Sequence, residues 1–129
     1  MPLNRMDVGV AKDEEEGPVP EIWRATFEAI VWQFVRGNYA IHGKVIAVAP
    51  VSSATAEQIS TYIQDYGATL VPLPEKAWTT SVSIWYGNHW SVLVDLFTEE
   101  EGASDLVLSA NVTELPSGYQ FKINTVYVP

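Results

Sequence analysis

Five carboxylates, Asp95, Glu99, Glu100, Glu101 and Asp105, fall within eleven residues that also contain Gly102 and Ser104. Crowded oxygen ligands on a glycine-bearing loop are what Ca²⁺ takes. The EF-hand pattern, however, needs alternating acids, then a glycine and a distant glutamate, and this spacing departs from it. Paired carboxylates can also do glycoside or general acid–base chemistry where a pocket drives their pKa values apart. Acids on an exposed hairpin get no such separation. The chemistry left to the cluster is recognition of a basic protein partner by charge, set against a solvated turn with no further role.

Other reactive groups are sparse. His89 stands beside Tyr86 and Trp90 in Trp85-Tyr86-Gly87-Asn88-His89-Trp90, where Tyr86, His89 and Trp90 could line a small-molecule or enzymatic pocket; His42 has no recognisable partner. Without cysteine, and without a His-Glu-x-x-His or His-x-His spacing, no zinc site and no other cofactor is expected. Ser104, His89 and Asp95 supply the residue types of a hydrolytic triad, but no nucleophile-elbow motif carries them, so catalysis is left open and no catalytic residue is assigned.

The 129 residues are 47% hydrophobic and 12% aromatic, enough for one packed core. The net charge of −9 is concentrated in the second half, where Lys76 and Lys122 stand against nine acids. Such a surface repels nucleic-acid phosphates and anionic lipid and attracts basic proteins. With no cysteine, no signal-like apolar stretch at the N-terminus and no long apolar run, a cytoplasmic chain without membrane contact is expected. Exposed aromatic strands would suit a homodimer.

Local patterns set the elements that must position these groups. Residues 1–17, with Asp13-Glu14-Glu15-Glu16, lack sustained periodicity and read as a flexible lead-in to a single domain over 18–129. Trp23, Phe27, Ile30, Val31 and Phe34 form one stripe of a helix between Pro20 and Gly37. Residues 39–49 read as a short strand or an extended loop. A second helix is expected with Ser53 or Thr55 as N-cap, Ile59, Tyr62, Ile63 and Tyr66 on one face, and Gly67 at its end.

From residue 80 onward the period is two, which predicts four antiparallel strands. Hydrophobic parity places Thr80, Val82, Ile84 and Tyr86 with Trp90, Val92, Val94 and Leu96, then with Leu106, Leu108, Ala110 and Val112, then with Tyr119, Phe121 and Ile123. The pairings that keep these together are Tyr86 with Trp90, Leu96 with Leu106 across a long loop at 99–104, and Val112 with Tyr119. Val126 and Val128 are out of phase with Phe121 and Ile123, which predicts a bulge near Asn124 and Thr125, or both faces covered there. This register puts Asp95 and Asp105 on the face away from the core, with Trp85 beside them as a candidate aromatic anchor.

The segment Trp90-Ser91-Val92-Leu93-Val94-Asp95-Leu96-Phe97-Thr98, with Glu100-Glu101-Gly102 and Ser104-Asp105-Leu106, resembles a motif of a family of small uncharacterised bacterial proteins. The resemblance implies a bacterial cytosolic domain of similar size and brings no catalytic residue with it. The expected fold is α+β, with N-terminal helices on a C-terminal antiparallel meander of four strands, or five if 39–49 joins, cystatin-like or nuclear-transport-factor-2-like in outline. The expected function is a non-catalytic protein-interaction domain of immunity type, with Asp95, Glu99, Glu100, Glu101, Asp105 and Trp85 facing a basic partner. The alternative is a ligand or enzymatic pocket between helices and sheet.

Overall fold

The apolar stripe of the first helix requires a long buried face, and a computed structural model, which describes residues 10–129, gives it one. Helix α1 spans Glu21–Val35 and buries Trp23, Phe27, Ile30, Val31 and Phe34. Its C-terminus closes as a Schellman motif: the Gly37 amide donates to Phe34 O at 2.9 Å and the Asn38 amide to Gln33 O at 2.8 Å. Gly37 supplies the required positive φ of 82°. Helix α2 spans Ser53–Tyr66. Its N-cap is Ser52, one residue before the earlier expected position, and the Ser52 hydroxyl accepts from the Thr55 amide at 3.1 Å. Of its expected face, Ile59 and Ile63 are buried, whereas Tyr62 is 38% exposed.

Among the described residues, five antiparallel strands follow sequence order across one sheet: β1 (Gly17–Pro18), β2 (Val82–Trp85), β3 (Trp90–Thr98), β4 (Gly102–Leu115) and β5 (Gly118–Tyr127). The protein is therefore α+β, but the two-residue β1 precedes the helices, so helices-first describes only the four longer strands. The fifth strand is β1, because 39–49 forms no strand. That segment turns repeatedly through left-handed backbone at Ile41, His42, Gly43 and Ala47. Such a conformation costs roughly 1–2 kcal/mol at a non-glycine residue, and at Ile41 burial of the side chain, only 2% exposed, offsets it. Its end meets the sheet edge, where the Phe121 amide donates to Ala47 O and the Ala49 amide to Phe121 O, each at 2.8 Å.

The core lies between the helices and one face of the sheet. Trp90, Val92, Val94, Leu96, Leu106, Leu108, Ala110, Val112, Phe121, Ile123 and Val126 all belong to it, as parity requires for β3, β4 and β5. The expected alignment of β3 with β4 holds, with Trp90 opposite Val112 and Asp95 opposite Val107. A bulge on β4 then absorbs residues that would have formed a long loop, so the hairpin is tight: Thr98 pairs with Gly102 around Glu99–Glu101. The β4–β5 hairpin is also tighter than expected, and Val112 faces Phe121 rather than Tyr119. The register shift between Ser109 and Ala110 leaves Asn124 as the extra residue of β5 and returns Val126 to the core, as the phase change predicted.

Strand β2 departs from parity by one residue. Trp85 pairs with Trp90 and Ser83 with Val92, so Ser83 and Trp85 share the core side while Val82 and Ile84 face outward. The serines are accommodated because their hydroxyls have acceptors: Ser81 Oγ donates to Ala77 O at 2.8 Å and Ser83 Oγ to Pro18 O at 3.4 Å. Ala77 belongs to an unforeseen 3₁₀ helix, Glu75–Thr79.

The lead-in expected to stand apart divides in two. Residues 1–9 lie outside the described residues. From Val10 to Pro18 the chain runs along β2, with the Trp85 amide donating to Asp13 O and Trp90 Nε1 to Ala11 O, each at 3.0 Å. Among the described residues, no helix is long and apolar enough to cross a membrane.

Candidate functional site

The acidic hairpin is built where β3 outruns β2. Beyond Leu93, β3 has no partner on its β2 side, and the segment after α2 takes that edge: Leu70 bridges Thr98, and the Val71 amide donates to Phe97 O at 3.0 Å. Helix α2 can deliver it because Gly67, at φ 81°, ends the helix and turns the chain.

This docking holds the hairpin by several separate bonds. The Glu99 amide donates to Thr69 O at 2.9 Å. The Thr69 amide donates back to Glu100 Oε1 at 2.9 Å. The Tyr66 hydroxyl donates to Glu101 Oε1 at 2.6 Å and accepts from the Asp105 amide at 3.1 Å. Below the tip, Asp95 accepts from the Thr80 hydroxyl, and its amide donates to Ser81 Oγ at 2.9 Å. Short bonds to ionised acceptors are stronger than neutral ones, and here they join three elements of the chain.

The electrostatics follow from these contacts. The hydrogen bond to Glu101 is the main cause that raises Tyr66 above its ordinary 10.0, because proton loss would remove the donor and set two anions together; the Asp105 amide pulls the other way. The Thr69 amide, and then Glu100's own amide, hold the Glu100 carboxyl below its usual 4.5. Among the described residues the one salt bridge joins Lys12 to Glu114, so no cation neutralises Asp95, Glu99, Glu100, Glu101 or Asp105.

Asp95 and Asp105 line one open depression of about 430 Å³ with Ser104, Val107, Val128 and Pro129. Glu99, Glu100 and Glu101 stand exposed at the adjoining tip. The five acids are thus brought to one end of the molecule. No group of three or more His, Cys, Asp and Glu is gathered to hold a metal ion among the described residues.

Trp85 is not with them. The one-residue slip of β2 carries it to the opposite face, where its ring lies 4.5 Å from Trp90 and beneath Lys12 Nζ at 5.3 Å. It is no anchor for the acidic face. Nor do Tyr86, His89 and Trp90 converge. Tyr86 stacks on His89 at the hairpin tip, with centroids 5.9 Å apart, and is 62% exposed, whereas Trp90 is 1% exposed beside Trp23. His89 Nδ1 lies 2.6 Å from Asn88 Oδ1.

Tyr66 and Thr69 belong to the candidate site through their bonds to the hairpin, and the sequence pattern does not announce them. Tyr66 was assigned to the core face of α2, and nothing in its spacing announces a partner 35 residues away. A tyrosine directly before a helix-ending glycine was the one available sign of a side chain free to reach across a junction.

Residues 31–129 match the model of a family described as a domain of unknown function, DUF7668. This chain belongs to that family. The DUF7668 match contains every strand of the meander, α2 and all five acids, and it begins within α1, so β1 and the segment before it lie outside it. No curated protein and no solved structure matches the chain.

Proposed function

We propose that this DUF7668 protein is a non-catalytic interaction domain whose β3–β4 hairpin, with Asp95 and Asp105 at its base, docks a basic protein partner. One observation carries the reading: Tyr66 and Thr69 bind the Glu101 and Glu100 carboxylates and hold the backbone at Asp105 and Glu99, and the hairpin acids are left without a cation among the described residues. The ordering entropy of the hairpin backbone and of the Glu100 and Glu101 side chains is already spent before a partner arrives, and Glu99 and Asp105 carry uncompensated charge on that fixed backbone. Preorganisation of that kind favours affinity, and concentrated charge favours fast, selective encounter.

An immunity-type protein that neutralises a basic bacterial toxin is the concrete form we propose, in a cytoplasmic setting. The small size and the acidic balance support it. The cystatin-like or nuclear-transport-factor-2-like outline remains part of the proposal as architecture alone and carries no function with it.

The experiment is equilibrium binding at low salt to a basic protein captured by the wild-type chain. Glu99→Lys with Asp105→Lys is the informative variant, since neither side chain has a hydrogen bond to lose among those found for the described residues. Affinity should fall by at least tenfold, and the loss should shrink as salt is added. Unchanged affinity at low salt overturns the proposal.

A further inference from the structure

Along β2, from the Trp90 end of the sheet, about 26 Å along β3 from the hairpin tip at Thr98 at the usual rise per residue, the chain binds a piece of itself as a receptor binds a peptide. Residues 10–18 run along β2, extended at 11–13 and 16–18, with a bend at Glu14 and Glu15 where the Glu15 amide donates to Asp13 Oδ1 at 3.1 Å. Their carbonyls at Ala11 and Asp13 accept from Trp90 Nε1 and the Trp85 amide. Gly17 and Pro18 pair with Ser83 and Val82. The Val10 amide donates to Tyr119 Oη at 3.4 Å.

One side chain is read specifically: Lys12 Nζ sits 3.1 Å from Glu114 Oε1 and 5.3 Å from the centre of the Trp85 ring. Backbone hydrogen bonds at a sheet edge, with a pocket for one chosen side chain, make up the chemistry of strand-addition peptide recognition.

The resident segment is a poor occupant. It carries Asp13, Glu14, Glu15 and Glu16 against the single Lys12, on a body that is itself strongly acidic. A space of about 270 Å³ is lined jointly by the segment, Val10, Ala11 and Asp13 among its residues, and by Ser83, Ile84 and Trp90. The receptor residues Trp85, Trp90, Glu114 and Tyr119 lie within the family match, and the occupant lies outside it.

We propose that this groove is a second binding site, for an extended lysine-bearing segment of a partner protein, and that residues 10–18 hold it closed in cis. A segment with the same backbone contacts and lysine but without the acidic run relieves the repulsion and displaces the strap. This site is independent of the acidic hairpin, so either can fail alone.

The test uses the full chain and a fluorescent peptide copying residues 10–18 with Glu14, Glu15 and Glu16 replaced by serine. The chain is compared with its Lys12→Ala variant, which loosens the strap and leaves the groove intact. Both Lys12 and Glu114 side chains are about half exposed, so the fold is expected to survive, as an unchanged melting profile would show. Because apparent affinity scales with the fraction of open groove, the peptide should bind Lys12→Ala about fivefold more tightly than the parent, the magnitude of a partly exposed ion pair and cation–π contact. Adding Glu114→Gln, or replacing the peptide's lysine with alanine, should abolish that gain. Absence of saturable binding to Lys12→Ala, or equal binding of the lysine and alanine peptides, overturns the proposal. So does a doubling of mass in sedimentation without peptide uptake, which assigns the groove to the strap of a second copy.

Discussion

Trp23 and Trp90 are each 1% exposed and meet edge-to-face at 5.1 Å, yet their indole N–H groups have different fates. Trp90 Nε1 donates to Ala11 O at 3.0 Å, whereas Trp23 Nε1 is buried with no hydrogen-bond partner. Replacement of either by phenylalanine removes similar apolar surface and leaves a similar void, at a shared cost of about 1–2 kcal/mol.

The polar consequences then diverge. Trp23→Phe deletes an unsatisfied donor and recovers about 1–3 kcal/mol, while Trp90→Phe forfeits a hydrogen bond of about 0.5–1.5 kcal/mol. Trp23→Phe should therefore be close to neutral and Trp90→Phe should cost about 2–3 kcal/mol. Urea unfolding followed by far-ultraviolet circular dichroism measures both without relying on tryptophan emission. At an m-value of about 2 kcal/mol/M, the midpoints should separate by roughly 1 M. Equal losses would refute the reasoning and show that the Trp23 N–H is satisfied by a neighbouring ring face.

The latch between α2 and the hairpin has a pH window with two edges. Because folding raises the Tyr66 pKa, its contribution is complete below pH 10 and is lost as pH climbs above that value; because folding lowers the Glu100 pKa, its contribution is present above pH 4.5 and is lost as pH falls below it. Amide exchange at Thr69 and Asp105 should be slowest, relative to intrinsic rates, between those limits. Tyr66→Phe should speed exchange at Asp105 and erase the alkaline edge, and an unchanged alkaline edge would contradict the assignment. Gly67→Ala isolates backbone strain, since no atom lies within 4 Å of the added Cβ while φ is 81°. It should cost about 1–2 kcal/mol in thermal unfolding, and a neutral result would show that the helix end relaxes.

Much of this arrangement was legible in advance because burial leaves a period in the chain. The α1 stripe and the inward positions of β3, β4 and β5 were readable from hydrophobic spacing, and even the bulge at Asn124 was visible as a change of phase. Parity failed at β2 because its outward face is the more apolar one, carrying Val82, Ile84 and Tyr86 against Ser81, Ser83 and Trp85 inside. Val82 and Ile84 read as core, yet Ser81 and Ser83 take the inner side once their hydroxyls find acceptors. That slip is what removed Trp85 from the acidic face.

Residues 39–49 were opaque for another reason. Their pattern records that Ile41 and Val45 are buried, but nothing in a side-chain pattern records the left-handed backbone that puts them there. At the hairpin the cluster of acids and its exposure were legible. Its restraint was not, because Tyr66 and Thr69 reach it from a helix junction distant in sequence, and hydrogen bonds between single residues leave no periodic trace.

Preorganised, unneutralised charge on the β3–β4 hairpin is tested most directly by association kinetics with a basic partner at low salt. Glu99→Lys with Asp105→Lys is compared with Glu21→Lys with Glu57→Lys, exposed positions on the helices that change net charge equally. If the hairpin docks the partner, the first pair should slow association by about tenfold or more and the second only slightly, with the difference vanishing in high salt. Equal slowing by both pairs would show that overall charge, and not the hairpin, attracts the partner.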